Sequence, residues 1–132
     1  MTRHEMREIV FSLLFQSEFY DGEEFAAQRE IYLDEQSMTE EERKEIVDKT
    51  TRMLERLSEI DEKISKYSKG WQIDRIAKAE LAILRLAVYE ALYDESVPVG
   101  VAVNEAVELA KQYGEDNGSA FVNGILGKIV NE

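Results

Sequence analysis

Hydrophobic positions recur along this chain with helical spacing, most densely over residues 76–93, IAKAELAILRLAVYEALY. The stretch holds no Gly or Pro and is dominated by Ala and Leu, the strongest apolar helix formers. It is too long for a buried strand. Leu81, Leu84, Val88 and Leu92 form one row and Ala79, Ile83, Leu86 and Ala87 another, so the helix is apolar on every side and should be buried on most faces. At about 1.5 Å per residue it would run roughly 27 Å, too short and too charged to span a membrane. It is expected to be the central post of a helical domain. Lys78, Glu80, Arg85 and Glu90 interrupt it; each should reach an edge, a partner or an opposite charge, because unpaired buried charge is costly.

The rest of the chain carries the same periodicity between clear stops. Thr2-Arg3-His4-Glu5 has the form of a capping box, and the helix it opens is expected to run to about residue 20. Met6, Val10, Leu13 and Ser17 make one stripe on it, and Phe11, Phe15 and Phe19 a second that serves either as core or as the face of a homodimer. Asp21-Gly22 is the expected stop. A second helix over 23–36 turns Phe25, Ala26, Tyr32 and Leu33 inward. Thr39-Glu40-Glu41-Glu42 is another capping box, with acids at the positive end of the helix dipole. Ile46, Val47, Met53, Leu54 and Leu57 follow inward, Ile60, Ile64 and Tyr67 continue after a kink near Ser58, and Lys69-Gly70 closes the run. Pro98, the only proline, forces an extended loop before a helix over 99–113, with Val103, Ala106, Val107 and Ala110 inward. After a turn over 114–118, Asn117 or Ser119 should cap the last helix. Its inward residues are Phe121, Val122, Ile125, Leu126, Ile129 and Val130. No stretch alternates like a strand. The fold class is all-α, a compact single-domain bundle over 1–132 with about seven helices.

Composition narrows the function classes. A chain of 132 residues, 44% hydrophobic and 33% charged, is an ordinary folded composition with one core. No cysteine and no signal peptide pattern are present, so a reducing, cytoplasmic setting is expected. The net charge of −12 opposes nucleic-acid binding, but it is uneven: residues 18–62 hold sixteen acidic and six basic side chains, leaving −2 for everything else. A nucleic-acid face outside that region stays open, and the acidic region itself reads as a solvated helical surface.

Catalytic constellations are missing. His4 is the single histidine, so a zinc site or a Ser-His-Asp triad has too few members. No Gly-rich phosphate loop occurs, and the carboxylates sit in solvated runs. No catalytic residue, metal or cofactor is expected, and the protein should not be an enzyme. Recognition remains. Arg3 and Arg7, four apart beside a helix amino end, would with His4 make a small anion site. Phe121 opens the last helix beside a polar loop, a place for core packing or for stacking a base of single-stranded RNA.

The carboxyl half carries a more specific signal. Ile83-Leu84-Arg85-Leu86-Ala87-Val88-Tyr89-Glu90, Val97-Pro98, 103–111 (VNEAVELAK) and Phe121-Val122-Asn123-Gly124-Ile125-Leu126 resemble, in order and spacing, the NusB family of bacterial transcription antitermination factors. The resemblance is strong over 71–130 and weak before it. It implies two small helical bundles and no catalysis. It implies joint binding of boxA RNA on nascent ribosomal RNA transcripts with the small-subunit ribosomal protein that doubles as NusE, within an antitermination complex on RNA polymerase. By the resemblance, Arg3, His4 and Arg7 stand where the family's basic amino end meets RNA, as does the loop carrying Asn117, Ser119 and Phe121. Trp71, Asp74 and Glu80 fall where the ribosomal protein docks, and acids there suit a basic partner. Asn104, Glu105 and Asn123 read as structural, capping and bridging polar residues. The family often begins with a dense arginine cluster; two arginines and one histidine stand here, which implies weak RNA binding alone and tighter binding with the basic partner. Two rivals remain. One is the NusB-like domain of ribosomal RNA cytosine methyltransferases, disfavoured by a chain ending at Glu132. The other is an acidic helical protein-binding adaptor with no RNA role.

Overall fold

Two reciprocal caps start the fold's first helices. Thr2 Oγ1 accepts the Glu5 N–H at 3.1 Å while Glu5 Oε1 accepts the Thr2 N–H at 2.8 Å. Thr39 and Glu42 repeat the pattern at 3.1 and 2.8 Å. They open α1 (Arg3–Gln16) and α3 (Glu40–Glu55), with α2 (Gly22–Asp34) between them. The structure, a computed structural model, describes residues 1–68 and 72–132; the expectations for Lys69, Gly70 and Trp71 lie outside the described residues.

The first helix ends earlier than its apolar stripe suggests. The Ser17 hydroxyl donates to the Leu14 carbonyl at 2.6 Å, a local bond that competes with helix propagation, and tighter turns follow through Glu18 and Phe19. Phe11 is buried, Phe15 half-buried and Phe19 exposed. Gly22, expected to close α1, is instead the first residue of α2, with a left-handed φ of +52°.

The chain forms two compact units, Met1–Leu54 and Glu55–Glu132. In the first, ion pairs link the helices. Arg3 reaches Glu45 at 2.6 Å and the Met1 amine reaches Glu42 at 2.6 Å, joining α1 to α3. Arg43 on α3 bonds Asp34 at 2.8 Å and also Glu30, both on α2. Such surface pairs contribute only about 0–1 kcal/mol each; fully buried Leu13, Leu14, Leu33, Ile46 and Met53 carry more.

In the second unit, α4 (Leu57–Tyr67), α6 (Val99–Tyr113) and α7 (Gly118–Val130) all pack on α5 (Lys78–Leu92), which a 3-10 turn at Ile73–Arg75 precedes. The break between α3 and α4 falls at Arg56, two residues before the expected kink. As the pattern of 76–93 requires, every residue of α5 from Glu80 to Glu90 is buried. Its charges are accommodated: Arg85 makes a two-pronged bond to Asp61 of α4 at 2.9 and 2.8 Å, and Lys78 is exposed at the helix start. On α6 the inner row is Ala102, Ala106, Leu109 and Ala110, with Val103 and Val107 only half-buried; the alanines give α6 a low surface toward both α5 and α7. Asn104 and Asn123 stand exposed. Among the described residues there is no strand, and no helix is long and apolar enough to cross a membrane.

Candidate nucleic-acid interface

The loop from α6 to α7 closes around one carboxylate. Glu80, on the first turn of α5, is 6% exposed, and its Oε2 accepts the Glu115 N–H at 3.0 Å. A Cβ at Gly118 would stand 2.7 Å from the same oxygen; one at Gly114 would stand 2.7 Å from the Ala110 carbonyl oxygen. Glycine avoids both approaches, one to a backbone oxygen and one to the Glu80 carboxylate. Asn117 takes a left-handed φ of 68°, a conformation Asn tolerates better than most residues. That backbone corrects the capping expectation: Asn117 occupies the cap position of α7 without a side-chain bond to it, because a capping side chain needs extended backbone. Ser119 already lies inside the helix and is half-buried. Glu80, expected to face a docking partner, is internal and holds this loop instead.

Phe121 is half-buried in the first turn of α7. It lines a groove of about 290 Å³ with Tyr67, Ser68, Ala120, Gly124, Ile125 and Lys128. Ala120 and Gly124 keep the helix wall low beside the ring, and among the described residues no atom lies within 4 Å of where a Gly124 Cβ would be. The groove thus offers two aromatic rings, a cation and open space, a combination that suits a stacked base and its phosphate. Neither Lys128 nor Tyr67, the latter expected only as part of a helical stripe, stood among the expected site residues. Lys128 sits seven residues after Phe121, two helical turns along one face, a spacing that could have flagged it; Tyr67 comes from α4, and no local pattern links it to Phe121.

The amino end is less cationic than its sequence. Arg3 keeps an exposed side chain but pairs with Glu45 at 2.6 Å, and His4 Nε2 stands 3.4 Å from the Glu8 carboxylate one turn on. Arg7, expected beside Arg3 as a surface cation, is 8% exposed. Four-residue spacing places two side chains on one face; it does not decide which of them the fold covers. Arg3 and His4 belong to the first unit, and Asn117, Ser119 and Phe121 to the second. Of the expected docking residues, Asp74 is exposed on the 3-10 turn, and Trp71 lies outside the described residues. No group of His, Cys, Asp or Glu among the described residues is arranged to hold a metal.

Comparison with known proteins extends beyond the carboxyl half. The NusB family model matches residues 4–131, so the likeness reaches into the amino-terminal half as well. The transcription antitermination protein NusB of Agathobacter rectalis is 49% identical over 129 residues, 97% of this chain and 98% of that protein. The solved structure of T. maritima NusB superposes with a TM-score of 0.90 at 38% identity, covering all of this chain and 92% of that one. A structure of antitermination factors NusB and NusE in complex with double-stranded RNA shares the fold at a TM-score of 0.82 and 24% identity, over 99% of this chain and 98% of that one.

Proposed function

This chain belongs to the NusB family, and on that premise we propose that it acts as a transcription antitermination factor. In this reading it binds boxA-type single-stranded RNA on nascent ribosomal RNA transcripts together with the small-subunit ribosomal protein that doubles as NusE, within an antitermination complex on RNA polymerase. It works in the cytoplasm and performs no catalysis. The observation that carries the reading is the family match over residues 4–131. The groove at Phe121, Tyr67 and Lys128 gives it a physical form: rings to stack a base and a cation for its backbone. The net charge of −12 and the carboxylates beside Arg3 and His4 support a division of labour in which the basic ribosomal protein supplies most of the phosphate neutralisation. Exposed Asp74 suits such a partner.

Fluorescence anisotropy of a labelled boxA RNA, titrated with and without the ribosomal protein, tests this. Tight binding is expected only with the partner. Phe121→Ala should weaken it by about 5- to 150-fold, the range for losing one base stack, and Arg3→Ala more mildly. Equal affinity with and without the partner overturns the division of labour. No RNA binding in either case leaves an acidic protein-binding adaptor.

A further inference from the structure

On α4, away from every residue assigned above except Tyr67, three donors converge on one carboxylate. Lys63 Nζ lies 2.5 Å from Glu132 Oε1, while Lys66 Nζ and the Tyr67 hydroxyl lie 3.3 and 2.5 Å from Oε2. Their spacing of i, i+3 and i+4 puts all three on one helix face, and Glu132 reaches them from two residues beyond α7. We propose that Lys63, Lys66 and Tyr67 form a phosphate subsite for the RNA strand, and that the Glu132 side chain occupies it in the free protein as a displaceable stand-in. The proposal rests on the RNA-binding reading above and adds a site to it.

Four observations carry this inference. A carboxylate and a phosphodiester each present two anionic oxygens, and cations and hydroxyl donors that satisfy the first can satisfy the second. The lysine side chains remain 39% and 63% exposed with Glu132 in place, so an incoming strand can reach them. Tyr67 belongs both to this cluster and to the Phe121 groove, so a strand with a base in the groove passes the subsite. Glu59 and Glu62 line, with Lys63, Lys66 and Tyr93, another hollow of about 560 Å³; those acids repel a phosphate there, which favours the Phe121 side as its path. Displacement is feasible because exposed ion pairs are individually weak, and the pairing keeps the Glu132 carboxyl well below its ordinary range, near 2, so the stand-in is charged at any working pH.

The test uses the full chain with the ribosomal partner and labelled boxA RNA, titrated over a series of salt concentrations. Glu132→Gln removes the competitor and should tighten binding by about fivefold, the equivalent of one favourable surface pair. Glu108→Gln, an equal charge change at an exposed residue of α6, should tighten it much less. Lys63→Ala/Lys66→Ala should weaken binding and lower the salt slope by about 0.7, one single-strand phosphate; adding Glu132→Gln to that pair should then change binding no more than Glu108→Gln does. If the unaltered protein binds RNA but Glu132→Gln brings no gain beyond Glu108→Gln, the subsite is refuted alone. If the unaltered protein binds no RNA, it falls together with the reading it rests on.

Discussion

The carboxylate of Glu80 governs the 114–118 loop more than the loop's own side chains do. Gly118→Ala would press a methyl group against Oε2, at 2.7 Å, and push it off the Glu115 N–H. The expected loss is about 1–3 kcal/mol, that of a buried polar group left unsatisfied. In a Glu80→Ala background the same glycine change should cost far less, and denaturant unfolding of the four variants measures the coupling; additive losses would contradict the contact. A second residue pair gives an asymmetric prediction. Arg85 is buried while Asp61 keeps some water contact, with side-chain exposures of 8% and 23%. Asp61→Ala takes the two-pronged bond from a buried cation and should cost about 2–3 kcal/mol, somewhat below the range for fully buried pairs; Arg85→Met leaves a carboxylate that water still reaches and should cost less. Neither Glu80 nor Arg7 is legible at this scale from sequence. Glu80 sits 35 residues from the backbone it binds, and Arg7 follows a spacing that fits a surface cation as well as a covered one.

Among the elements, the best-read ones are those whose local signals agree. The box at Thr39 and Glu42 lies where its pattern puts it, and Thr39→Ala should cost about 1 kcal/mol, read as a lower urea midpoint with an unchanged slope. The helix over 99–113 matches its expected bounds, because Pro98 and Gly114 punctuate it from both sides. The post is legible because an all-round apolar run has one stable destination. Misreadings occur where a polar side chain intervenes. Ser17 cuts α1 short although Phe19 continues its stripe, and Asn117 turns the chain into α7 by its backbone instead of capping it. The Phe121 groove was half legible: its aromatic was evident, but Tyr67 arrives from a different helix.

For the molecule as a whole, the proposed RNA binding by an acidic chain depends on where its few cations stand. Arg3 and His4 face acids, and Lys63 and Lys66 face Glu132. That last cluster also sets a pH window for stability. Lys63, with Tyr67 and Lys66, depresses the Glu132 carboxyl from 4.5 to about 2, so its contribution is complete above about 4.5 and disappears as pH falls toward 2. Glu132 also raises both lysines above their ordinary 10.5, so loss on the alkaline side begins only beyond that value. Urea midpoints of the unaltered chain and Glu132→Gln should therefore differ between those limits and converge on the acid side; a constant difference down to the lowest pH would contradict the clamp. The bond from Glu115 to Glu80 also works as a ruler. A peptide spliced between Glu115 and Asp116 would detach the ruler from its mark, whereas the same peptide between Ser96 and Val97, in an exposed turn fastened by Asp94, should be carried as harmless cargo. Tags and fluorophores for studying this protein belong at the second place, where they leave the groove at Phe121 in register.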